Sequence, residues 1–188
     1  MLDVGLKEWA VICELLLEGR QTFVLRKGGI HERGGPGVFS LEHDRFVLFP
    51  AWMHQKPEGL QPKYRDRVTH TGSEPDEVTF QGVGEAAKIW EAPSREAFDQ
   101  LDELHCWDVS QIDMRFNYKP DRPLYVVAIR AFTLPQPKTV PQHWTYKGCK
   151  SWVPLREGHE VDETGVEPVL DDESFSAVIE KIDSALRR

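Results

Sequence analysis

The chain has 188 residues, a net charge of −8 and 40% hydrophobic residues, a composition typical of a globular protein that buries a core. No stretch approaches the ~20 consecutive apolar residues of a membrane helix, so the sequence predicts no membrane partner. The first residues lack the order of a signal peptide. The three cysteines are far apart, which argues against a disulfide framework and favours a cytoplasmic location.

The charge is divided unevenly along the chain. Residues 1–67 hold ten basic and nine acidic residues, and residues 110–156 hold eight basic and two acidic ones. Residues 68–109 hold two basic and ten acidic residues, and residues 157–188 hold three and ten. The acidic total argues against a nonspecific nucleic-acid coat, but the two cation-bearing segments still allow a local anion site.

The first half of the chain predicts one helix and two strands. Apolar residues between positions 6 and 17 follow the spacing of an amphipathic helix, which Gly19 would end. Residues 22–25 form a short β-prone run before a glycine-rich loop. Residues 46–49 indicate a buried strand closed by Pro50. Residues 55–74 are rich in proline, glycine and charge and indicate a long surface loop.

The second half alternates strand and helix patterns. Residues 78–90 are strand-like, and Pro93 and Ser94 then begin a helix. A short helix is also expected near residues 109–116. Residues 124–132 are the clearest strand, because they are β-branched or aromatic and bounded by prolines.

The acidic C-terminal segment predicts a helix capped by Asp171 or Asp172, with one apolar stripe between positions 175 and 186. The elements together predict the α+β class, with a mixed, largely antiparallel sheet and helices at both chain ends. We expect a single domain over residues 1–156, and an acidic extension over residues 157–188 that ends in the amphipathic helix.

The first candidate site is an anion-binding turn. Arg26 and Lys27 supply two cations, and Gly28 and Gly29 permit the close backbone approach that a phosphate requires. The pattern does not match a P-loop or a dinucleotide fingerprint. The alternative is a strand that ends in a tight turn with solvated charges.

The second candidate site follows the strand at residues 46–49. Trp52, His54 and Gln55 come directly after Pro50, and strand ends commonly carry ligand-binding groups. His54 suits proton transfer, and Gln55 suits hydrogen bonding to a base edge. The alternative is that His54 only binds a backbone carbonyl.

The third candidate site is an aromatic and cationic cluster. Trp144, Tyr146 and Trp152 alternate with Lys147 and Lys150, a mixture that stacks bases and neutralises phosphates. The alternative is that these rings fill the core.

Signals for catalysis are weak, and neither a metal nor a cofactor is predicted, because zinc-type Cys and His spacings are lacking. Cys149 is a candidate nucleophile paired with a histidine, since neighbouring lysines stabilise a thiolate, and His54 is the other candidate catalytic residue. His143 and His159 could also converge with Cys149, but their spacing does not require it. Asp76, Glu85 and Lys88 follow the acid, acid, lysine order of restriction-type nucleases. In a regular strand, however, Glu85 and Lys88 would point to opposite faces.

The chain resembles a bacterial family known as domain of unknown function 1802. The resemblance is carried by residues 6–10, 25–32, 46–50, 54–55 and 148–153. The family has no established activity. In some members the domain is associated with a restriction-endonuclease-like domain, which implies a link to restriction–modification and a nucleic-acid ligand.

The sequence thus favours a nucleic-acid- or nucleotide-binding module with a phosphate-bearing partner. Two alternatives stay open: a small hydrolase with a site centred on His54 or Cys149, and a protein-interaction domain. The oligomeric state stays open as well.

Overall fold

A computed structural model describes residues 1–27 and 39–187. This part of the chain forms one seven-stranded sheet. The strands are β1 (Val4–Trp9), β2 (Phe23–Arg26), β3 (Arg45–Ala51), β4 (Glu77–Glu91), β5 (Tyr125–Pro141), β6 (Trp152–Pro154) and β7 (Glu167–Pro168). The α-helices are α1 (Ala10–Leu17), α2 (Arg95–Asp99), α3 (Val109–Asn117) and α4 (Asp172–Leu186).

The strand order is β2-β5-β4-β3-β1-β6, with β7 added alongside β5. Strands β1 and β3 run parallel, and the other paired strands run antiparallel. The predicted α+β class with a mixed, largely antiparallel sheet is therefore confirmed. The only parallel pair among the described strands brings the carboxyl ends of β1 and β3 to the same edge of the sheet.

The N-terminal element differs from the sequence prediction. Residues 4–9 form β1, and the helix begins only at Ala10. The apolar spacing from Leu6 onward suggested one helix, but β1 pairs with β3 on one side and β6 on the other. These two ladders satisfy the backbone of residues 4–9 in the strand conformation. Helix α4 lies at the C-terminal end as predicted, whereas a strand precedes the first helix.

Most other predicted elements are present. Ser94 caps α2 by accepting a hydrogen bond from the Ala97 amide, and Asp171 caps α4 by accepting one from the Ser174 amide. Pro50 lies inside β3 and does not close it. The described pairing of β3 with β4 covers only residues 45–47, so a residue without an amide hydrogen is tolerated at position 50.

The acidic C-terminal segment packs on the rest of the chain. Strand β7 pairs with β5, and Val161 forms a bridge with Leu2. Ile182 and Leu186 of α4 are buried in the main hydrophobic core together with α1 and β2. The proposed boundary at residue 156 stays a prediction. No helix in the described residues combines the length and apolar character needed to cross a membrane.

Candidate functional site: a basic cavity at the end of the parallel strands

A cavity of about 310 Å³ opens where β1 and β3 end. Trp9 pairs with Ala51 at this edge, and β6, which runs antiparallel to β1, begins at Trp152 opposite Leu6. Residues from the ends of β1, β2 and β3, from α3 and from the loops before β4 and β6 surround the space. They are Lys7, Glu8, Trp9, Arg26, Lys27, Ala51, Met53, His54, Glu74, Arg115, Lys147, Gly148, Cys149, Lys150 and Ser151.

Positive charge dominates the walls of this basic cavity. Six of its described lining residues are lysine or arginine, and two are glutamate. The excess of positive charge is therefore four, although the whole chain is acidic. A concave surface lined mainly by one sign of charge concentrates ligands of the opposite sign.

The inner wall contains a buried ion pair. Arg26 and Glu8 are 8% and 6% exposed, and the Arg26 Nη1 lies 3.1 Å from the Glu8 carboxylate. The Arg26 Nη2 also donates to the carbonyl oxygen of Lys7 at 2.8 Å. Arg26 lies on β2 and Lys7 on β1, which are not neighbours in the sheet, so this side chain ties two separated strands together. Glu8 is thus already paired, and its charge is not available to oppose a ligand.

Arg115 adds a second guanidinium beside this pair. Burial lowers its pKa, and the nearby Glu8 raises the pKa while Arg26 lowers it. An arginine remains protonated even so. The Nε atoms of Arg26 and Arg115 are buried and have no hydrogen-bond partner among the described residues. The inner wall therefore holds more positive charge than its own acceptors compensate.

Three lysines of the cavity, Lys7, Lys150 and Lys27, donate hydrogen bonds to backbone carbonyl oxygens around it. Lys7 donates to the carbonyl oxygens of Tyr146 and Gly148, and Lys150 donates to that of Thr145 at 2.5 Å. Burial lowers the pKa of Lys7; Glu74 raises it and Lys150 lowers it again.

Lys27 donates to the carbonyl oxygens of Arg115 and Phe116 at 3.2 and 3.0 Å, near the end of α3. Lys147 is exposed, and no described residue forms a hydrogen bond or ion pair with its ammonium group. Lys147 is thus the lysine of the cavity whose charge is least committed to the protein.

His54 and Cys149 meet at the cavity mouth. The Cys149 Sγ lies 3.8 Å from the His54 Nε2, although 95 residues separate them in the chain. Both side chains are exposed. The distance between Sγ and Nε2 lies within the range of a weak hydrogen bond to sulfur and is longer than the contact between catalytic groups in a bound complex.

The cavity gathers six of the residues that the sequence singled out. They are Arg26, Lys27, His54, Lys147, Cys149 and Lys150. These residues come from three separate clusters in the sequence. Strands β3, β1 and β6 are neighbours in the sheet, and Arg26 contacts β1, so the three clusters meet at the cavity. Gly28 and Gly29 lie outside the described residues.

Two aromatic residues predicted to stack with a ligand are buried. Tyr146 is 1% exposed, and its hydroxyl contacts the His159 Nδ1 at 2.6 Å and accepts from the Arg156 amide at 3.1 Å. Trp152 packs against Phe46 and donates from its indole nitrogen to the Ser40 carbonyl at 3.0 Å. The stacking role does not fit either ring, because core packing already covers them.

Gln55 and Trp52 also lie away from the cavity. Gln55 is 3% exposed; it accepts from the Val11 amide at 3.3 Å and donates to the His70 carbonyl at 2.6 Å. These contacts leave it no access to a ligand base. Trp52 lines a separate cavity of about 380 Å³, which residues of α1, β3 and β4 also line.

Four charged lining residues were not among the predicted site residues: Lys7, Glu8, Glu74 and Arg115. Lys7 and Glu8 lie in the segment whose apolar spacing predicted a helix, and that pattern gave no indication of a site. The local sequence around Arg115 carries no ligand signal. If residues 4–9 had been predicted as a strand between two buried strands, Lys7 and Glu8 would have been placed near the carboxyl end of that strand.

The nuclease-like order of acids and lysine does not form a site. Strand β4 has an irregularity between Ala86 and Lys88, but Glu85 pairs with Arg45 at 2.8 Å and Lys88 pairs with Asp183 at 2.6 Å. The two side chains thus serve different ion pairs. The described residues contain no group of three His, Cys, Asp or Glu side chains placed to hold a metal ion.

The fold and the cavity define an α+β protein with a basic site at the end of a parallel strand pair. The chain belongs to the family described as domain of unknown function (DUF1802), whose model matches residues 5–181. Comparison with curated proteins finds no match. Among solved structures, the chain is similar to crystal structures of two mutant forms of ZmASCH from Zymomonas mobilis. Each has 10% identity and a TM-score of 0.48; the alignments cover 96% and 94% of this chain and 98% and 96% of those chains.

Proposed function

We propose that the protein binds a phosphate-bearing nucleotide unit, free or within a nucleic acid, in the basic cavity. The observation that carries this proposal is the convergence of six cations on one cavity with an excess of four positive charges. A volume of about 310 Å³ lies at the lower end of the range for small-molecule sites, which is the size class of a nucleotide. Lys147 is the contact best suited to a phosphate, because its ammonium group has no described protein partner.

The binding test uses fluorescence anisotropy with labelled single-stranded DNA, duplex DNA and RNA at two salt concentrations. The Lys147→Ala variant should bind more weakly and show a smaller dependence on salt, by roughly 0.7 in the slope of log affinity against log salt for one single-strand phosphate contact. Lys181→Ala is the matched control, since Lys181 is exposed on α4 and lines no described cavity. Lack of measurable binding in low salt to all three nucleic acids and to a labelled mononucleotide would refute the proposal.

A second candidate function is hydrolysis at the His54 and Cys149 pair, which the 3.8 Å contact at the cavity mouth favours. His54 would accept the thiol proton as Sγ attacks the electrophilic carbon or phosphorus of an anionic ester, and the protonated His54 would return this proton to the alcohol oxygen as its bond to that carbon or phosphorus breaks. Water would then cleave the covalent intermediate and restore the thiol. Cys149→Ala and His54→Ala should each abolish turnover of an activated ester or phosphoester while the fold is retained. Unchanged turnover in Cys149→Ala excludes this reaction.

The association of the family with restriction–modification remains a proposal for this chain. Glu85 and Lys88 each form a different ion pair, so these two residues do not form a nuclease site in this chain. A cytoplasmic location is proposed on the cysteines: Cys13, Cys106 and Cys149 are all free thiols, as expected in a reducing compartment.

A further inference from the structure

A second groove adjoins the basic cavity. It has a volume of about 350 Å³ and shares three lining residues with the cavity, namely Met53, Glu74 and Lys147. Its other lining residues are Ser73, Pro75, Asp76, Gln142, His143 and Trp144. Lys147 therefore lies at the boundary between the basic cavity and this second, aromatic groove, where a ligand longer than one nucleotide would contact both spaces.

Trp144 is the distinctive residue of the aromatic groove. Its side chain is 74% exposed, whereas the other five tryptophans of the chain are buried or half-buried. Leaving an indole ring in water forgoes the free energy that its burial would contribute. An exposed aromatic ring beside a basic cavity is the arrangement that proteins use to stack bases of single strands.

The backbone under Trp144 is held in place. Trp144 begins a 3-10 turn (Trp144–Tyr146) that His143 caps, with its Nδ1 accepting from the Thr145 amide at 3.3 Å and contacting the Thr145 hydroxyl at 2.8 Å. The next ring, Tyr146, is anchored in the core. The indole is thus presented to solvent from a fixed base, which lowers the entropy lost when a ligand stacks on it.

From this arrangement we infer that the ligand is a single-stranded nucleic acid of at least two nucleotides. One nucleotide occupies the basic cavity, Lys147 neutralises the phosphate that links it to the next, and the next base stacks on Trp144. The inference deepens the proposed function and rests on it. A mononucleotide in the cavity leaves the aromatic groove empty, and a duplex hides its base faces inside its own stack.

The test compares a mononucleotide, a dinucleotide and a hexanucleotide as ligands of the full chain. Wild-type affinity should rise markedly from the mononucleotide to the dinucleotide. Trp144→Ala should lower affinity for the longer ligands by roughly 5- to 150-fold, the range that corresponds to the stacking of one base. Mononucleotide affinity should stay the same. Val109→Ala is the control, because Val109 is also an exposed apolar residue and lines no described cavity.

A spectroscopic readout separates stacking from a change in folding. Single strands should quench the fluorescence of the wild type, and most of that quenching should vanish in Trp144→Phe, whose smaller ring keeps much of the affinity. If Lys147→Ala weakens binding of every ligand while Trp144→Ala changes none, the single-strand inference is overturned and the proposed function stands. If no nucleotide or oligonucleotide binds at all, the proposed function itself fails.

Discussion

The Arg26 guanidinium and the Glu8 carboxylate form an ion pair at 3.1 Å with both side chains more than nine-tenths buried. Strands β2 and β1, which carry them, are not paired with each other. This contact therefore connects two distant parts of the sheet and forms the inner wall of the basic cavity. Its stability consequences follow from the cost of leaving one buried charge without its partner.

Replacing only one member of this pair should destabilise the fold strongly. We expect Glu8→Leu to lower the free energy of unfolding by about 3–5 kcal/mol, because Arg26 then stays buried and uncompensated. The double variant Glu8→Leu/Arg26→Leu should lose less than the sum of the single changes. Urea denaturation measures all three. Arg20→Ala is the control: Arg20 pairs with Glu18 on the surface and should cost less than about 1 kcal/mol.

Tyr146 should contribute to stability and not to binding. Tyr146→Phe removes the hydroxyl that contacts His159 and accepts from the Arg156 amide, so the free energy of unfolding should fall by about 1–3 kcal/mol. Affinity for single-stranded oligonucleotides should stay at the wild-type value. A loss of affinity without a loss of stability would mean that the ring contacts the ligand after all.

His105 should make the fold sensitive to mild acid. The side chain is 1% exposed and stacks on Phe98 with ring centroids 5.2 Å apart. Burial lowers its pKa to about 4, against the opposing effect of Asp102, whose carboxylate lies 3.4 Å away. The unfolded chain, with a histidine pKa near 6.5, binds the proton more readily than the folded one between these values.

The stability linked to His105 is therefore fully present above about pH 6.5 and is lost as the pH falls towards 4. A shift of this size corresponds to roughly 3 kcal/mol. His105→Phe keeps a ring at the position and removes the titration, so its stability should vary less between pH 7 and 4.5. Parallel urea titrations at several pH values measure the difference; identical pH dependence in both proteins would contradict this assignment.

Helix α4 should be part of the folded unit. Ile182 is fully buried in the main core, so Ile182→Ala should lower the free energy of unfolding by about 2–5 kcal/mol. Glu180→Ala, two residues earlier on the exposed side of the helix, should have little effect. If Ile182→Ala is neutral, residues 157–188 behave as the separate extension that the sequence suggested.

The local sequence pattern was sufficient to predict several helices, strands and caps, and it was insufficient to predict others. Strand β5, helix α4 and the caps at Ser94 and Asp171 were predictable, because propensity and capping act within a few residues. Strand β1 was missed because its apolar spacing also fits a helix. Only pairing with β3 and β6 decides between the two.

The sequence by itself determined the class of fold and the segregation of cations into two segments, since both depend on composition and short-range periodicity. Tertiary structure alone decided that Tyr146 is buried while Trp144 is exposed, because burial depends on what packs against each ring. It also decided that His54 meets Cys149. That contact follows from the order of the strands in the sheet, which long-range pairing sets and short-range periodicity does not encode.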